Sequence, residues 1–378
     1  MSRTLKGRIL TSTGWVGGSL RFDSRLLSIE ADASASSSAS AELPIILPGF
    51  IDLHVHGGLG VDIMEGGDAA QQVARAHARH GTTAMLGTTM TAPDGDIRHA
   101  LAGLASACAE RASGAARLLG VHLEGPFLSP GKLGAQPGQV CAATMALLRE
   151  YMAIAPIKVV TIAPEVARHL DIITELAQLG VRPQVGHTLG SYEDGVAALR
   201  AGAAGFTHLF NAMRGLNHYE PGMVGAALAH ARHAELIPDL LHVHPGAIRA
   251  ALRAIPELYC VTDATAATDM PDGNYPLGSQ MVCKCLGGVR LADGGLAGSA
   301  LTMDQALRNL LSLGLDLADA SNRLSRNPAR YLGLADRGQI AVGQWADLVV
   351  LDSEMQVSEV FIEGEAISPA FEPDAVPA

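Results

Sequence analysis

The chain has 378 residues and a formal net charge of -11, with 17% charged and 4% aromatic residues, which marks a compact Ala- and Gly-rich globular protein. Its length accommodates one barrel with an appendage or two average domains. The acidic balance excludes a broad nucleic-acid-binding face, which needs basic charge, but not a small anionic substrate held by a few local cations.

Residues 1–47 contain short β-like pieces at 5–11, 18–22 and 26–30, separated by Gly and Ser turn signals. The stretch 31–42, ADASASSSASAE, has nothing to bury and reads as a mobile surface loop. Next comes PGFIDLHVHGG at 48–58. On a strand, Asp52, His54 and His56 share one face, while Ile51, Leu53 and Val55 share the other. Two imidazoles projecting together form a metal-ligand pattern.

From Ile45 onward strand-like runs alternate with helix-like segments, the signature of a parallel sheet with right-handed crossovers. Eight strands are predicted, at 50–56, 82–89, 116–124, 157–163, 181–187, 204–211, 235–242 and 258–263. Helical spacing of apolar residues places helices at 68–80, 97–111, 165–179, 192–201 and 245–254, with Asp68 and Ser191 as N-caps. The expected fold is therefore α/β, a (β/α)8 TIM barrel. Such barrels carry their chemistry at the C-terminal ends of the strands. Here those ends hold His54 and His56, Glu124, His187, His208, His242 and Asp263.

Beyond the eighth strand, 274–290 reads as a loop with hairpin character, 302–313 and 317–324 as helices, and 338–352 and 357–363 as β pattern. The sheet begun at the N-terminus is completed here. A small discontinuous β domain, 1–47 with 336–378, is thus expected around a barrel domain at 48–335. The five cysteines are odd in number and lack a C-x-x-C motif, as in a reduced protein, and the close pair Cys283 and Cys285 reads as strand packing. With no signal-like apolar run at the N-terminus and no run of membrane-spanning length, a cytoplasmic location is expected.

His54, His56, Glu124, His187 and His208 can form two ligand sites with Glu124 bridging them. Imidazole and carboxylate suit Zn, Fe(II), Co or Mn alike, and zinc is the expected ion. Such a cation lowers the pKa of its water and supplies hydroxide as nucleophile, and Asp263 is placed to take the proton and pass it to a leaving group. The reaction class is hydrolysis of a polarised carbonyl, most simply an amide. His122, deeper on the face of Glu124, reads as a core histidine, and His77, His80, His99, His169, His230 and His233 as surface residues. Of His242 and His244, His242 is the one expected to meet substrate.

The motifs PGFIDLHVHG, HLEGPF, VGHT, THLFNAM, LHVHP, VTDAT, LAGSALTMDQA and ADLVVLD, in this order, resemble the amidohydrolase superfamily and, within it, the N-acetylglucosamine-6-phosphate deacetylases. The resemblance implies Glu124, His187 and His208 as main metal ligands, Asp263 as catalytic acid and base, and His54 and His56 as ligands of a second metal found in some members, leaving one or two ions per subunit open. It further implies substrate contacts from Asn211, Ala212 and His242 and from the loop Leu296, Ala297 and Gly298, a homodimer, and acetate plus glucosamine 6-phosphate as products. Two positions depart from the pattern. Tyr219 stands where an Arg helps to hold the phosphate, with Arg214 as a compensating cation, and Gln136 stands where members have His, able to donate to a sugar oxygen or carbonyl. The alternatives are a deacetylase of another N-acetylated amino sugar, a cyclic amidase or deaminase on the same scaffold, or a barrel that only binds.

Overall fold

The computed structural model describes residues 2–32 and 43–367, so most of the predicted loop at 31–42 lies outside the described residues. One sheet is made from both ends of the chain. Its order is Glu365–Ile367, Val357–Ile362, Leu348–Leu351, Ile45–Pro48, Arg3–Thr11, Gly14–Phe22 and Leu26–Ala31. Neighbours pair antiparallel except Arg3–Thr11 with Ile45–Pro48. Period-two alternation decides the two faces. Ile46, Leu348, Val350 and Phe361 join Ile9, Leu20 and Phe22 in a core of their own. Leu47, Val349, Leu351, Val360 and Ile362 point the other way and merge with the barrel core. The segment 338–352, expected as β throughout, is a strand only at Leu348–Leu351, because Gly338 and Gly343 adopt positive φ and turn the chain first.

The second sheet is parallel. Phe50–Asp52, Thr82–Thr89, Arg117–Glu124, Ile157–Ile162, Arg182–Val185 and Gly205–Phe206 form one ladder, and Glu235–Leu236 pairs with Tyr259–Cys260. Closure comes from the segments beyond the short strands. Leu209 N donates to Glu235 O at 2.9 Å, and His56 N donates to Ala264 O at 2.8 Å beside a Val55–Ala264 bridge. This is the expected eight-stranded barrel with its later strands shortened. The shortening has a backbone cause: His187, His208, Phe210, Ala212 and Asp263 take φ of 47°, 28°, 83°, 51° and 53°, which an extended strand cannot contain.

The helices Tyr192–Ala201 and Pro245–Ala254 fall where spacing predicts them. Ser191 caps the first in a reciprocal box with Asp194, whereas the Asp68 side chain makes no capping bond to Ala69–Ala78. Three helices lack the signal. Gly222–His230 is buried through Gly222–Ala227 without a polar stripe, Met145–Ile154 buries only Leu148 and Tyr151, and Arg326–Leu332 is short with Pro328 in its first turn. The 274–290 region is a three-stranded antiparallel sheet, Gly273–Leu277, Gln280–Cys285 and Gly288–Arg290. It is pinned over the barrel mouth, since Gly278 N donates to Asp62 Oδ2 at 2.7 Å and Gln280 Nε2 to Ala135 O at 2.5 Å.

His80, just past the Ala69–Ala78 helix, ties this scaffold together. Its Nε2 lies 2.6 Å from Asp269 Oδ2 and its Nδ1 3.2 Å from Asp304 Oδ1. Burial pushes the imidazole down, but the two carboxylates outweigh it and raise its pKa from 6.5 to about 9. A raised folded pKa contributes stability that is full below about 6.5 and is lost as pH climbs through about 9. The contribution is on the order of 2–3 kcal/mol. The expected result is that His80→Gln is less stable than wild type by about that amount at pH 6, with the gap closing towards pH 10 in denaturant unfolding. A gap independent of pH would refute the ion pairing.

Candidate metal centre and active site

The predicted ligands converge at the barrel mouth, all buried. The Nε2 atoms of His54 and His56 lie 3.1 Å apart, and those of His187 and His208 lie 3.0 Å apart. Glu124 stands between the pairs. Its Oε1 is 3.1 Å from His187 Nε2 and 3.0 Å from His208 Nε2, while its Oε2 is 3.1 Å from His56 Nε2 and 3.4 Å from His54 Nε2. Asp263 Oδ1 is 3.3 Å from both His54 Nε2 and His56 Nε2. Among the described residues three groups of possible ligands result, His54–His56–Asp263 and Glu124–His187–His208 at the cavity and His54–His122–Glu235 beneath them.

The outer ring nitrogens of one histidine in each pair show how these donors are prepared, while those of His56 and His208 meet no partner among the described residues. His54 Nδ1 lies 3.1 Å from Glu235 Oε2, and His187 Nδ1 lies 2.9 Å from Lys132 O. A proton donated outward from Nδ1 leaves the Nε2 lone pair facing inward, which is how ligating histidines are held. Paired Nε2 atoms within hydrogen-bond distance, each beside a carboxylate, form a donor set that suits a divalent cation in each group.

The carboxylates and imidazoles stabilise one another's charged forms. Burial pushes Glu124 up, yet the imidazoles around it hold its carboxyl well below the usual range. Burial likewise pushes Asp263 up, and His54 and His56 outweigh it and bring it down to about 2. His56 is raised to about 9 by Asp263 and Glu124 against its own burial. His122 follows burial and the neighbouring His54 down to about 3; its Nε2 meets Thr161 Oγ1 at 2.7 Å, so it is the core histidine that the sequence indicates.

A cavity of about 270 Å³ opens above these groups, the scale of a small-metabolite site. Of the predicted substrate residues, Gln136, Asn211, Ala212, His242, Leu296 and Gly298 line it. Ala297 is buried behind the lining. Arg214 and Tyr219 do not reach the cavity. They border a separate hollow with Ser191 and Glu220, where Arg214 Nη2 pairs with Glu220 Oε2 at 3.0 Å and Tyr219 is 85% exposed. Among the described residues no Lys or Arg lines the main cavity. Gly298, at φ 58°, is required beside the acid: a Cβ there would stand 2.6 Å from Thr265 Cγ2 and 3.0 Å from Asp263 O. His242 Nδ1 is held by Asp239 Oδ2 at 2.7 Å, while His244 caps the Pro245–Ala254 helix.

Some polar residues take other places than the sequence indicates. Asp52 joins neither donor group; it accepts from Thr262 Oγ1 at 2.6 Å and ties the first strand to the eighth. His77 and His169 are buried rather than on the surface. His77 Nε2 lies 2.9 Å from Gly57 O, and His169 joins Ala143 N to Ala163 O. Glu235, not singled out by the sequence, is fully buried, orients His54 and accepts from Tyr259 OH at 3.2 Å. Met90 and Leu277 also line the cavity without a sequence signal.

Residues 45–367 match the model of the Amidohydrolase family. The chain belongs to the amidohydrolase family. This amidohydrolase is 39% identical to an N-acetylgalactosamine-6-phosphate deacetylase of Escherichia coli O157:H7, over 97% of the chain and 100% of that protein. It is 38% identical to an N-acetylglucosamine-6-phosphate deacetylase of Bacillus subtilis, over 83% and 82%. Among solved structures it superposes with TM-score 0.89 and 33% identity, over 97% of the chain and 99% of the other, on an aspartate-to-alanine mutant of the Mycobacterium smegmatis N-acetyl-D-glucosamine-6-phosphate deacetylase in complex with N-acetyl-D-glucosamine-6-phosphate.

Proposed function

We propose that this amidohydrolase is a metal-dependent deacetylase that converts N-acetylglucosamine 6-phosphate to glucosamine 6-phosphate and acetate. The observation that carries the reading is Asp263 Oδ1 standing 3.3 Å from the imidazoles of a carboxylate-bridged donor set, on the floor of a cavity of metabolite size, in a chain whose relatives are amino-sugar phosphate deacetylases. The donor set supports one or two divalent ions per subunit, zinc first. A bound cation there would polarise the amide carbonyl and bring the pKa of a water towards neutrality. Asp263, ionised at neutral pH, accepts the proton of the attacking water as its oxygen adds to the amide carbon. It then returns that proton to the nitrogen as the C–N bond breaks, and the amine leaves neutral. Asn211, Gly298 and His242, with its ring fixed by Asp239, hold the sugar across the mouth. Arg214, two residues past Ala212, pairs with Glu220 in the neighbouring hollow with Tyr219 beside it, and it would meet the phosphate end only on leaving that pair.

The domain reading keeps the chemistry within 48–335 and gives 1–47 and 336–378 to the small β domain, supported by the terminal sheet. A homodimer is supported by exposed apolar residues on the loops after the sixth and seventh strands and on the three-stranded sheet, Leu216, Tyr219, Leu241, Met281 and Leu286. A cytoplasmic location is supported by five free thiols; no helix among the described residues is long and apolar enough to cross a membrane.

A specific observation favours a second reading. The full-length match at 39% identity is to a deacetylase of the galacto epimer. A cyclic amidase or deaminase bridging its metals through a modified lysine is disfavoured, because Lys158 is exposed and, among the described residues, no lysine lines the cavity. The test is free-amine release from N-acetylglucosamine 6-phosphate, N-acetylgalactosamine 6-phosphate and unphosphorylated N-acetylglucosamine by metal-loaded protein. N-acetylglucosamine 6-phosphate is expected to be turned over with the highest kcat/KM. A preference for the galacto epimer would replace the substrate, and ammonia or ring opening without acetate would replace the reaction class.

A further inference from the structure

Gln136 lines the cavity, yet its side chain is turned into the protein. It is 5% exposed, in the segment between the third barrel strand and the Met145–Ile154 helix. Its Oε1 accepts from Thr91 N at 2.8 Å. A backbone N–H can only donate, so this bond fixes which end of the amide is oxygen. Nε2 must then face the metal centre, where it donates to Glu124 Oε2 at 2.7 Å, and it approaches Met90 Sδ at 3.5 Å. Both N–H groups are directed at protein atoms. Neither is free for the sugar contact that the sequence indicates.

The bond matters because of what Glu124 must do. The terminal torsion of a glutamate is broad and roughly two-fold, so a carboxylate held only by imidazoles can turn both oxygens towards one pair. Here one oxygen serves each pair, Oε1 for His187 and His208 and Oε2 for His54 and His56. Gln136 grips Oε2, the oxygen that faces His54 and His56, and its own anchor is backbone in the segment after the second strand. Resting on the reading of this site as a metal centre, we propose that Gln136 is a positioning residue which fixes the Glu124 carboxylate and thereby sets the affinity of the His54–His56–Asp263 group for a second divalent cation.

The test is titration of metal-free protein with Co(II), read by visible absorption, with total metal measured after dialysis. Gln136→Met keeps the length of the side chain and removes both strong bonds. Gln136→Ser leaves room for a water on Thr91 N and cannot reach Glu124, and so covers the case in which the Met variant does not fold. Outer partners of ligating groups are worth roughly 10–100-fold in metal affinity. The expected result is two equivalents in wild type, with the weaker one bound about 10–100-fold more weakly in either variant and the tighter one changed by no more than a few-fold. In the deacetylation assay kcat falls with the second equivalent while KM holds. Unchanged affinity at both equivalents with a raised KM would overturn the proposal and make Gln136 a substrate contact. A wild type that takes up one equivalent would overturn it too, since Oε2 then serves no second ion. A wild type that takes up none would remove the metal reading itself, a failure separate from that of Gln136.

Discussion

Asp263→Asn is expected to lower deacetylation roughly 10²–10⁴-fold, the usual worth of a positioned general acid or base. The substitution keeps the shape of the side chain and removes its ability to take a proton. His54 and His56 outweigh burial and bring the Asp263 carboxyl down to about 2, so it is ionised and able to accept a proton at neutral pH. The Glu124–His187–His208 group does not include Asp263, so the ion held there is retained. Amine release measured beside metal content separates the two roles. Unchanged turnover would end the acid and base assignment, and loss of both equivalents together with turnover would make Asp263 a ligand first.

Glu124→Ala removes a residue that faces all four imidazoles. In the wild type each pair holds its Nε2 atoms 3.0–3.1 Å apart beside this carboxylate, which the variant lacks. An outer partner costs about 10–100-fold in affinity or activity when lost, and a bridging ligand costs more. The variant is therefore expected to fall below one metal equivalent after dialysis and to lose more than about 100-fold in turnover. Retention of two equivalents would refute the bridge. His122 and Glu235 remain buried below the site, so thermal unfolding beside the metal assay shows whether the fold has survived the change.

Much of this centre is legible in the sequence because a parallel barrel gathers its strand ends, and polar residues that end apolar runs declare themselves. Glu235 does not, for it opens the predicted seventh strand, which should place it far from the mouth. The strand is only Glu235–Leu236, and that shortness brings its first residue under His54. The left-handed residues His187, His208 and Asp263 were equally hidden, since φ is not a property of composition. Holding each there costs on the order of 1–3 kcal/mol, offset by surrounding structure, and it turns each side chain out of its strand towards the others. His169 was legible in retrospect: it stands three, four and seven residues before Ile172, Ile173 and Leu176, on the buried stripe of its helix. Tyr219 and Arg214 show the opposite limit, because a motif position fixes order along the chain and not which hollow a loop faces.

The terminal sheet also has a history in time. Ile46 and Val350 are partners in its central pair, yet the whole barrel is synthesised between them. At about 5–20 residues per second on the ribosome, the Ile45–Pro48 strand waits on the order of tens of seconds with one edge open before its neighbour emerges. A nascent chain in that interval carries an apolar strand with unpaired amides, the kind of edge that recruits other strands. Emergence of the Leu348–Leu351 strand, rather than completion of the barrel, is the event that seals it.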